Sequence, residues 1–557
     1  MTEVTRATYD KVMFPCYKPA DLVLVRGRKC RLYDSEGRSY LDFGGGIAVN
    51  SLGNAPKTVR KALKAQSARL VHVSNVFAND ATLKFATEIT KVTGFDRVFF
   101  TNSGAEANEC ALKLARRTAV DLYGEKKDEI ISFAHSFHGR TFFTVSVGGQ
   151  DKYSLGFGPR PGAITHLPFN DIKAFEKQIS DRTCAVIFEP VQGEGGVLPV
   201  DPKFAKRVRE LCDKHHALLI MDEVQTGCAR SGTFFAYEQI GIRPDVVSTA
   251  KGIAGGFPIG CVLTSNEIAA HFKAGTHGST FGGNPLGCAV GSAVVAKISK
   301  PEFLAKVMEK GKLLREELKR VNEELHVFTD VRGMGLLDGC ELIPELRSRL
   351  GDIQKAALEA GLIILTAGGT TIRLCPPLII KKKELKEGVA ILRRVLVPFA
   401  LEAEALKRAD ALKAEEKKAE KAEKAPAAKK SVEKKPVEKK PAEKKPAAAK
   451  AASGKMPVVK TAAPKTAPAR RAPAKTIKPV AQPAAAKSTV KAGQPEAPKT
   501  SAPKAASVAK PQTSAPKAPA EAVKAPAAAP ATSAAPKAVQ AAATPAAVVK
   551  PAVKTGA

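Results

Sequence analysis

Short continuous apolar runs alternate with amphipathic stretches through most of the first 400 residues. Strand-like runs of four to six residues stand at 97–101, 129–133, 184–189, 217–222 and 245–249. The stretches 106–123, 201–215 and 301–325 instead repeat apolar residues every three to four positions, as helices do. Runs that are apolar throughout indicate strands buried on both faces, which are typical of a parallel sheet covered by helices. The pattern therefore predicts an α/β fold, with a mixed α+β sheet as the alternative.

The last 133 residues have a composition that cannot support a folded core. Phe399 is the last aromatic residue of the 557, and residues 425–557 hold 26 basic and five acidic residues. Their net charge of +21 is most of the +33 of the whole chain, and they also hold 21 of its 38 prolines. A segment of Lys, Ala and Pro buries too little apolar surface to offset its ordering entropy. We therefore expect a disordered basic tail.

The remaining chain is long enough for a large core with two lobes. We assign residues 57–299 to a large domain, and residues 1–56 and 300–401 to a smaller α+β lobe formed from both ends of the core. The segment 22–43 has a Ser-Glu-Gly turn signal between apolar stretches and predicts a small antiparallel element. Residues 402–424 are rich in Ala, Glu and Lys, so they predict an exposed, charged helical linker.

The cysteines and the N-terminus bear on cellular location. All ten cysteines lie between Cys16 and Cys375 and no two are closer than 14 residues, which excludes CxxC zinc or redox pairs. Scattered thiols are typical of a reducing compartment. The first ten residues lack the apolar region of a secretory signal, and no apolar run resembles a membrane span. We expect a cytoplasmic protein that has no membrane partner.

Three features beside the predicted strands point to one chemistry. Asp222 ends an apolar run, where ligands bind in open α/β sheets, although a solvated loop aspartate has the same pattern. Lys251 follows the next run and is either a nucleophile or an ordinary surface lysine. Residues 101–106 lead from a strand into a helix, and their small side chains fit either phosphate binding or plain capping. A lysine, an aspartate and a phosphate-binding helix start are together what pyridoxal 5'-phosphate requires.

Seven motifs in a constant order carry a resemblance to a known family. They are GGGIAVNSLG (44–53), TNSGAEANECALKLAR (101–116), SFHGRT (136–141), EPVQGEGG (189–196), MDEVQTG (221–227), TAKGIAGGFPIG (249–260) and GTHGSTFGGNP (275–285). With them, residues 1 to about 400 resemble the class III pyridoxal-phosphate-dependent aminotransferases of fold type I, most closely the acetylornithine branch. The resemblance implies a homodimer that transfers an amino group from N2-acetylornithine to 2-oxoglutarate in arginine biosynthesis.

The resemblance also implies the residues that hold the cofactor. Lys251 would be the Schiff-base lysine and would move the proton, and Asp222 would pair with the pyridine nitrogen. Gln225 would lie near the ring's phenolic oxygen, and Phe137 would stack on the ring. The other residues implied in cofactor binding are Ser103, Gly104, Ala105, Glu223, Val224 and, reaching the phosphate across a subunit boundary, Thr280.

Four more residues are implied in substrate binding. Arg140, aided by Ser279, would bind a substrate carboxylate, and Arg373 would take the α-carboxylate of glutamate. Glu194 would occupy Arg373 when the other amino donor is bound. Such masking avoids an unpaired buried charge, because glutamate carries one carboxylate more than the diamine-derived donor.

Alternatives to this function stay open from the sequence alone. The donor of the same chemistry could be succinyl-diaminopimelate, ornithine or 4-aminobutyrate. In a different class, the protein would be a nucleic-acid-associated structural protein with an idle core, because the tail fits non-specific attraction to polyanions. The tail could also be a spacer without a partner, or it could associate with a membrane surface, although it lacks the amphipathic apolar face typical of such segments. Retention of Lys251, Asp222, Arg140 and Arg373 argues against an idle site.

The chain departs from the family pattern in two places, and one histidine pair raises the question of a metal site. The usual Gly-His-x-His-Pro is replaced here by Gly-Asn-Ala-Pro-Lys at 53–57, and the basic tail has no counterpart. His135 and His138 have the spacing of a metal pair, but no third ligand is identifiable. We therefore predict no metal site.

Overall fold

Residues 5–423 are described by a computed structural model, and the tail predicted to be disordered, residues 425–557, lies outside them. The strands are β1 (Leu24–Arg28), β2 (Arg31–Asp34), β3 (Ser39–Asp42), β4 (Arg97–Thr101), β5 (Glu129–Phe133), β6 (Ile164–Leu167), β7 (Thr183–Phe188), β8 (Val191–Gln192), β9 (Leu198–Pro199), β10 (Leu218–Asp222), β11 (Val246–Thr249), β12 (Gly260–Thr264), β13 (Phe328–Met334), β14 (Leu337–Leu342), β15 (Leu362–Ile363), β16 (Leu365–Ala367) and β17 (Thr371–Leu374).

Helices separate most of these strands. They are α1 (Arg6–Val12), α2 (Gly45–Ala48), α3 (Lys57–Ser67), α4 (Asp80–Thr93), α5 (Gly104–Tyr123), α6 (Phe142–Val147), α7 (Ile172–Gln178), α8 (Pro202–Lys214), α9 (Tyr237–Ile240), α10 (Asn266–Ala269), α11 (Pro285–Ile298), α12 (Pro301–Leu325), α13 (Leu350–Glu359) and α14 (Lys382–Glu423). Their starts follow ordinary capping rules. For example, Asp201 and Asn284 accept N–H hydrogen bonds at the starts of α8 and α11, each of which has Pro in its first turn.

A seven-stranded sheet in the order β4-β12-β11-β10-β7-β5-β6 forms the centre of the protein. The pairs from β11 to β6 are parallel, whereas β12 is antiparallel to both β11 and β4. The register pairs Asp222 at the end of β10 with Ser248 near the end of β11. The α/β prediction with a mostly parallel central sheet is confirmed, and β12 is a strand that the sequence reading did not identify.

Both faces of this sheet are buried, as the continuous apolar runs predicted. Leu219 and Met221 of β10 belong to the large hydrophobic cluster on one face. Ile220, between them, belongs to a second cluster on the other face, to which α5 contributes Ala107 and Ala111. Successive side chains of a strand point to opposite faces, so helices must cover both sides.

Besides the central sheet, the described residues form two four-stranded sheets and the two-stranded sheet β8-β9. The first, β1-β2-β3-β15, joins the N-terminal antiparallel strands to a late strand, with Leu41 opposite Leu362. The second, β13-β14-β17-β16, is antiparallel and pairs Gly339 with Arg373. Both ends of the core therefore share one sheet. The exact divisions predicted at 56/57 and 299/300 stay a prediction.

The last helix, α14, differs from the predicted linker in where it begins. It is 42 residues long and runs without interruption through Pro398 to Glu423. Leu396, Phe399 and Ala403 are buried, and residues 404–420 are exposed. Residues 402–423 of the predicted charged linker therefore continue a core helix instead of forming a separate one. Among the helices of residues 5–423, none is long and apolar enough to cross a membrane.

Candidate active site

A cavity of about 410 Å³ opens where the carboxyl ends of the central parallel strands meet. Open α/β sheets bind their ligands at this edge. The structure brings nine of the fourteen predicted site residues into its lining: Ser103, Gly104, Ala105, Phe137, Arg140, Asp222, Val224, Gln225 and Lys251. The other five, Glu194, Glu223, Ser279, Thr280 and Arg373, are not among the lining residues.

The start of α5 supplies one wall of the cavity. Ser103 caps the helix, with its hydroxyl accepting the Glu106 N–H at 3.2 Å. Gly104 and Ala105 then lie in the first turn, whose N–H groups have no intrahelical acceptor. A Cβ on Gly104 would lie 2.5 Å from Val224 Cγ1, so only glycine lets the helix start lie this close to the turn after β10. This wall can bind a phosphate.

Asp222 is held by donors on both of its oxygens. Its Oδ2 accepts hydrogen bonds from Asn108 Nδ2 at 2.7 Å and His138 Nδ1 at 2.8 Å, and its Oδ1 accepts one from the Val224 N–H at 3.0 Å. Asn108 is itself oriented by Ser248, whose hydroxyl donates to Asn108 Oδ1 at 2.5 Å. The carboxylate therefore has a fixed direction in the cavity wall.

Asn108 and His138 line the cavity, and the sequence reading gave neither a role. Both lie inside motifs that carried the resemblance, at 101–116 and 136–141. Their contact with Asp222 joins positions 114 and 84 residues apart, which no local spacing rule indicates. A polar residue directed inward among the alanines of α5 was the available signal for Asn108.

Lys251 occupies a 3₁₀ turn just after β11. Its φ of +45° is uncommon for a residue other than glycine, and such strained positions cluster at functional sites. Burial lowers the pKa of its amine, and Arg373 acts in the same direction against the opposing effects of Glu194 and Asp222. A lowered pKa leaves more of the amine neutral near pH 7, which is the form that attacks a carbonyl carbon.

Glu189, just after β7, is a second buried carboxylate in the cavity lining. Its Oε1 accepts the Phe137 N–H at 2.9 Å, and its Oε2 accepts the Gly193 N–H at 3.2 Å. Burial and the neighbouring Asp222 raise its pKa well above the usual range, although the two N–H donors act against this. The sequence reading treated this residue only as part of a motif.

The predicted pair of Glu194 and Arg373 is formed beside the cavity. Arg373 Nη1 lies 2.5 Å from Glu194 Oε1, and it also donates to Gly193 O at 3.0 Å and Gln225 Oε1 at 3.1 Å. Gln225, which lines the cavity, donates in turn to Glu194 at 3.3 Å. Burial alone would raise the pKa of Glu194, but Arg373 more than offsets it and the net shift is downward. The pair therefore remains ionic.

The remaining predicted residues have different surroundings. Arg140 is exposed at the cavity wall, with its guanidinium 3.8 Å from the ring centroid of Tyr153. Ser279 Oγ accepts from Asn102 Nδ2 at 3.2 Å, which connects the loop after α10 to the cavity lining. Thr280 beside it is exposed.

Glu223 is directed into the protein rather than into the cavity. Its carboxylate accepts the Thr226 hydroxyl at 2.5 Å and the Tyr237 N–H at 2.8 Å. Burial raises its pKa to about 7, with these donors acting in the opposite direction. The structure thus gives its side chain a role in supporting the turn after β10. Over residues 5–423 no group of three or more His, Cys, Asp or Glu side chains is arranged to hold a metal ion.

The sequence was compared with family models and with curated proteins. The model of aminotransferase class III matches residues 14–396. An acetylornithine aminotransferase from Vibrio parahaemolyticus is 53% identical over 394 residues, which cover 71% of this chain and 98% of that relative. An acetylornithine/succinyldiaminopimelate aminotransferase from Yersinia pestis is 48% identical over 393 residues, with 71% and 97% covered.

Solved structures show the same architecture. An N-acetylornithine aminotransferase from Stenotrophomonas maltophilia matches with a TM-score of 0.62 and 38% identity, covering 71% of this chain and 98% of that one. An ornithine aminotransferase from Toxoplasma gondii, described with partial occupancy of pyridoxal phosphate in its active site, matches with a TM-score of 0.69 and 30% identity over 72% and 95%. The fold type I architecture implied by the seven motifs is confirmed, and the chain belongs to the class III aminotransferases.

Proposed function

We propose that this enzyme transfers the amino group of N2-acetylornithine to 2-oxoglutarate, giving N-acetylglutamate 5-semialdehyde and glutamate, as a step of arginine biosynthesis. The observation that carries the proposal is the Glu194–Arg373 pair beside a cavity lined by Lys251 and Asp222. Relatives about half identical over nearly their whole length, named for acetylornithine, support the choice of donor.

The cofactor is pyridoxal 5'-phosphate, and the residues of the cavity fit it. Lys251 would supply the amine that holds its aldehyde carbon, and the buried Asp222 would supply a carboxylate for the pyridine nitrogen. The first turn of α5 supplies N–H groups for the phosphate, and Phe137 supplies a ring for the wall. When bound, the cofactor withdraws electrons from the carbon that carries the amino group and so makes its C–H acidic.

Lys251 is the group that moves the proton. Its Nζ, with a pKa lowered by burial, would accept the proton from the carbon that loses the amino group and would deliver it to the cofactor rather than back to that carbon. Asp222 does not take this part, because its carboxylate is assigned to the pyridine nitrogen and is fixed in direction by Asn108, His138 and the Val224 N–H. The carboxylate of Asp222 and the amine of Lys251 therefore have separate roles.

The ionic pair explains how one site accepts two unlike donors. N2-acetylornithine has a single carboxylate, for which the exposed Arg140 in the cavity wall is the cation. Glutamate brings a second carboxylate, and Arg373 can bind it only when Glu194 moves away. With N2-acetylornithine bound, Glu194 stays on Arg373, since a buried guanidinium without a partner would cost several kcal/mol.

A comparison of donors tests the reaction. Amino transfer to 2-oxoglutarate by the full-length protein would be measured with N2-acetylornithine, succinyl-diaminopimelate, ornithine and 4-aminobutyrate. We expect the highest kcat/KM for N2-acetylornithine and none in Lys251→Ala. A preference for ornithine or 4-aminobutyrate would mean that the chemistry is right and the donor wrong. A visible band from bound cofactor without transfer from any donor would favour the idle-core alternative.

We also propose that two copies of the chain form the working unit. Thr280 is exposed and outside the cavity lining of its own chain, next to Phe281, whose side chain is 59% exposed. Phe77, near this loop through the contacts of Asn75 with Ser279 and Gly282, is 64% exposed. Such apolar exposure beside a site is typical of an interface. Light scattering should give the mass of a dimer. Phe77→Asp should shift this mass toward that of a single chain and should weaken cofactor binding at the same time.

The proposed location is the cytoplasm. All ten cysteines are unpaired thiols and nine of them are buried, as in proteins of reducing compartments. Cell fractionation tests this, and recovery of the protein with the membrane fraction or outside the cell would contradict it.

The basic tail supports a second activity, the binding of polyanions such as nucleic acid. Its net charge of +21 without any aromatic residue provides phosphate neutralisation but no base stacking. The full chain should therefore retain duplex DNA on a filter at low salt and release it as salt rises, whereas a chain ending at residue 424 should not. Equal retention of both chains, or none at low salt, would leave the tail as a spacer.

A further inference from the structure

One buried side chain connects the two parts of the active site that the mechanism uses separately. Glu189 contacts Phe137 in the wall of the cofactor cavity and Gly193 in the turn that carries Glu194. We propose that Glu189 is a positioning residue that anchors this turn to the central sheet and thereby sets the preference between N2-acetylornithine and glutamate. The inference rests on the proposed function, because it concerns the alternation between these two donors.

The position of Glu189 is fixed by the sheet. It directly follows β7, which lies between β10 and β5 in the parallel part of the sheet, and its side chain is 4% exposed. Each carboxylate oxygen accepts one backbone N–H, from Phe137 and from Gly193. Within residues 5–423 no salt bridge involves it, so its contacts are those of a brace between two backbone segments.

The turn at Gly193 and Glu194 has three backbone anchors. Glu189 accepts the Gly193 N–H, Arg373 donates to the Gly193 carbonyl at 3.0 Å, and the Gly368 N–H donates to the Glu194 carbonyl at 3.0 Å. Arg373 and Gly368 both belong to the small antiparallel sheet and its β16–β17 connection. Of the three anchors, only Glu189 comes from the central sheet.

There is little room for this turn to shift without disturbing its neighbours. A Cβ on Gly193 would lie 2.3 Å from Gln225 Oε1, so the backbone is seated directly on the side chain that also contacts Arg373 and Glu194. When glutamate occupies Arg373, the carbonyl anchor of Gly193 competes with the substrate for the same guanidinium. The contacts of Glu189 and Gly368 can then remain while the Glu194 side chain leaves and returns. Of these two, only the Glu189 contact ties the turn to the wall of the cofactor cavity.

The expected consequence is selective for one donor. Glutamine at position 189 can accept one of the two N–H groups with its amide oxygen, but it faces the other with an NH₂ group. A loosened turn holds Glu194 on Arg373 for less of the time, and only N2-acetylornithine needs the charge of Arg373 to be masked. Glutamate, which displaces Glu194 in any case, should lose little.

The experiment follows the two half-reactions separately, in single turnovers of the holoenzyme monitored by cofactor absorption. In Glu189→Gln we expect the second-order rate constant for N2-acetylornithine to fall about tenfold relative to that for glutamate. Glu194→Gln should lower the same ratio directly. In the double variant the ratio should equal that of Glu194→Gln alone, since Glu189 acts through Glu194. A merely structural role would lower both half-reactions alike and would be additive.

Controls make each outcome decisive. Glu238→Gln alters an exposed carboxylate that likewise accepts a backbone N–H, from Phe235, but lies outside the cavity, and it should leave the ratio unchanged. If Glu189→Gln does not fold, Glu189→Asp keeps the charge, shortens the reach, and should show the same loss of preference. Additivity in the double variant, or equal losses for both donors, overturns the inference. If the wild type rejects N2-acetylornithine, the proposed donor is wrong, and the cycle is decided with the donor that it accepts.

Discussion

The cofactor part and the switching part of the active site are built from different kinds of structure. Asp222 ends β10 and Lys251 follows β11, and these adjacent parallel strands are paired in register over three residues up to Asp222 and Ser248. Glu194 and Arg373 are 179 residues apart in sequence, and they meet from a turn and from a strand of a separate antiparallel sheet. Strand ends hold the groups that we assign to the chemistry common to both donors, whereas the pair that we assign to the switch joins a turn to a strand of another sheet. Substitutions in the two parts should therefore differ in donor dependence.

The largest effect is expected for Lys251→Ala. The variant lacks both the amine that holds the cofactor and the base that moves the proton, so both half-reactions should fall by about 10⁴-fold or more. Steady-state turnover with each donor measures this. Lys173→Ala, on the exposed surface of α7, is the matched control. A Lys251→Ala enzyme that keeps one half-reaction would contradict the idea of a single shared base.

Asp222→Asn should reduce both half-reactions equally, by about a hundredfold. An amide in place of the buried carboxylate presents an NH₂ group to Asn108 and His138 or to the Val224 N–H, and it loses the charge for the pyridine nitrogen. Breaking a buried hydrogen-bonded charge network of this kind costs about 3 kcal/mol. Single-turnover rates with the two donors give the ratio. A loss confined to one donor would show that the two parts of the site are not distinct.

Arg373→Met should slow the half-reaction with glutamate much more than the half-reaction with N2-acetylornithine. The substitution removes the cation for the second carboxylate, so we expect the second-order rate constant for glutamate to fall about a hundredfold, as for the loss of a buried arginine–carboxylate contact. N2-acetylornithine, whose carboxylate is assigned to Arg140, should be affected less than about fivefold. Equal losses would place Arg373 in the machinery common to both donors.

The same contrast explains what the sequence could predict. Lys251, Asp222 and the start of α5 are local features beside apolar strands, and parallel topology brings strand ends together, so their meeting in one cavity was foreseeable. The Glu194–Arg373 contact followed only from the resemblance to the family. No periodicity brings positions 179 apart together.

Other parts of the structure could not be predicted because they depend on tertiary pairing. β12 lies between β11 and β4 and is antiparallel to both, and its five residues do not encode that direction. The helix α14 continues past Pro398 because a core face ending at Ala403 supports it, although proline usually interrupts helices. Asn108 and His138 gained their roles only through distant contacts with Asp222.

His138→Phe tests one of these unpredicted contacts and should have a moderate effect. The ring keeps its bulk but loses the 2.8 Å contact from Nδ1 to Asp222, while Asn108 still donates to the same oxygen. Removing one of two donors to a charged acceptor costs about 1.5 kcal/mol, or roughly tenfold in rate. The loss should be the same for both donors because Asp222 belongs to the cofactor part. A donor-dependent loss would argue that His138 contacts substrate.

The smallest effect is expected where the charge of Glu194, in the switching part, acts on the pKa of Lys251, in the cofactor part. Burial lowers the pKa of Lys251, while Glu194 opposes that shift and Arg373 adds to it. Glu194→Gln should therefore lower the pKa of Lys251 further, so that more of the amine is neutral at a given pH. Recombination of the apoenzyme with pyridoxal 5'-phosphate requires the neutral amine, so its rate should rise with pH. This rising limb of the pH–rate profile should lie at lower pH in the variant than in the wild type. Glu238→Gln, outside the cavity, should keep the wild-type limb. A shift of the Glu194→Gln limb to higher pH would mean that the switching pair does not act on Lys251 through its charge.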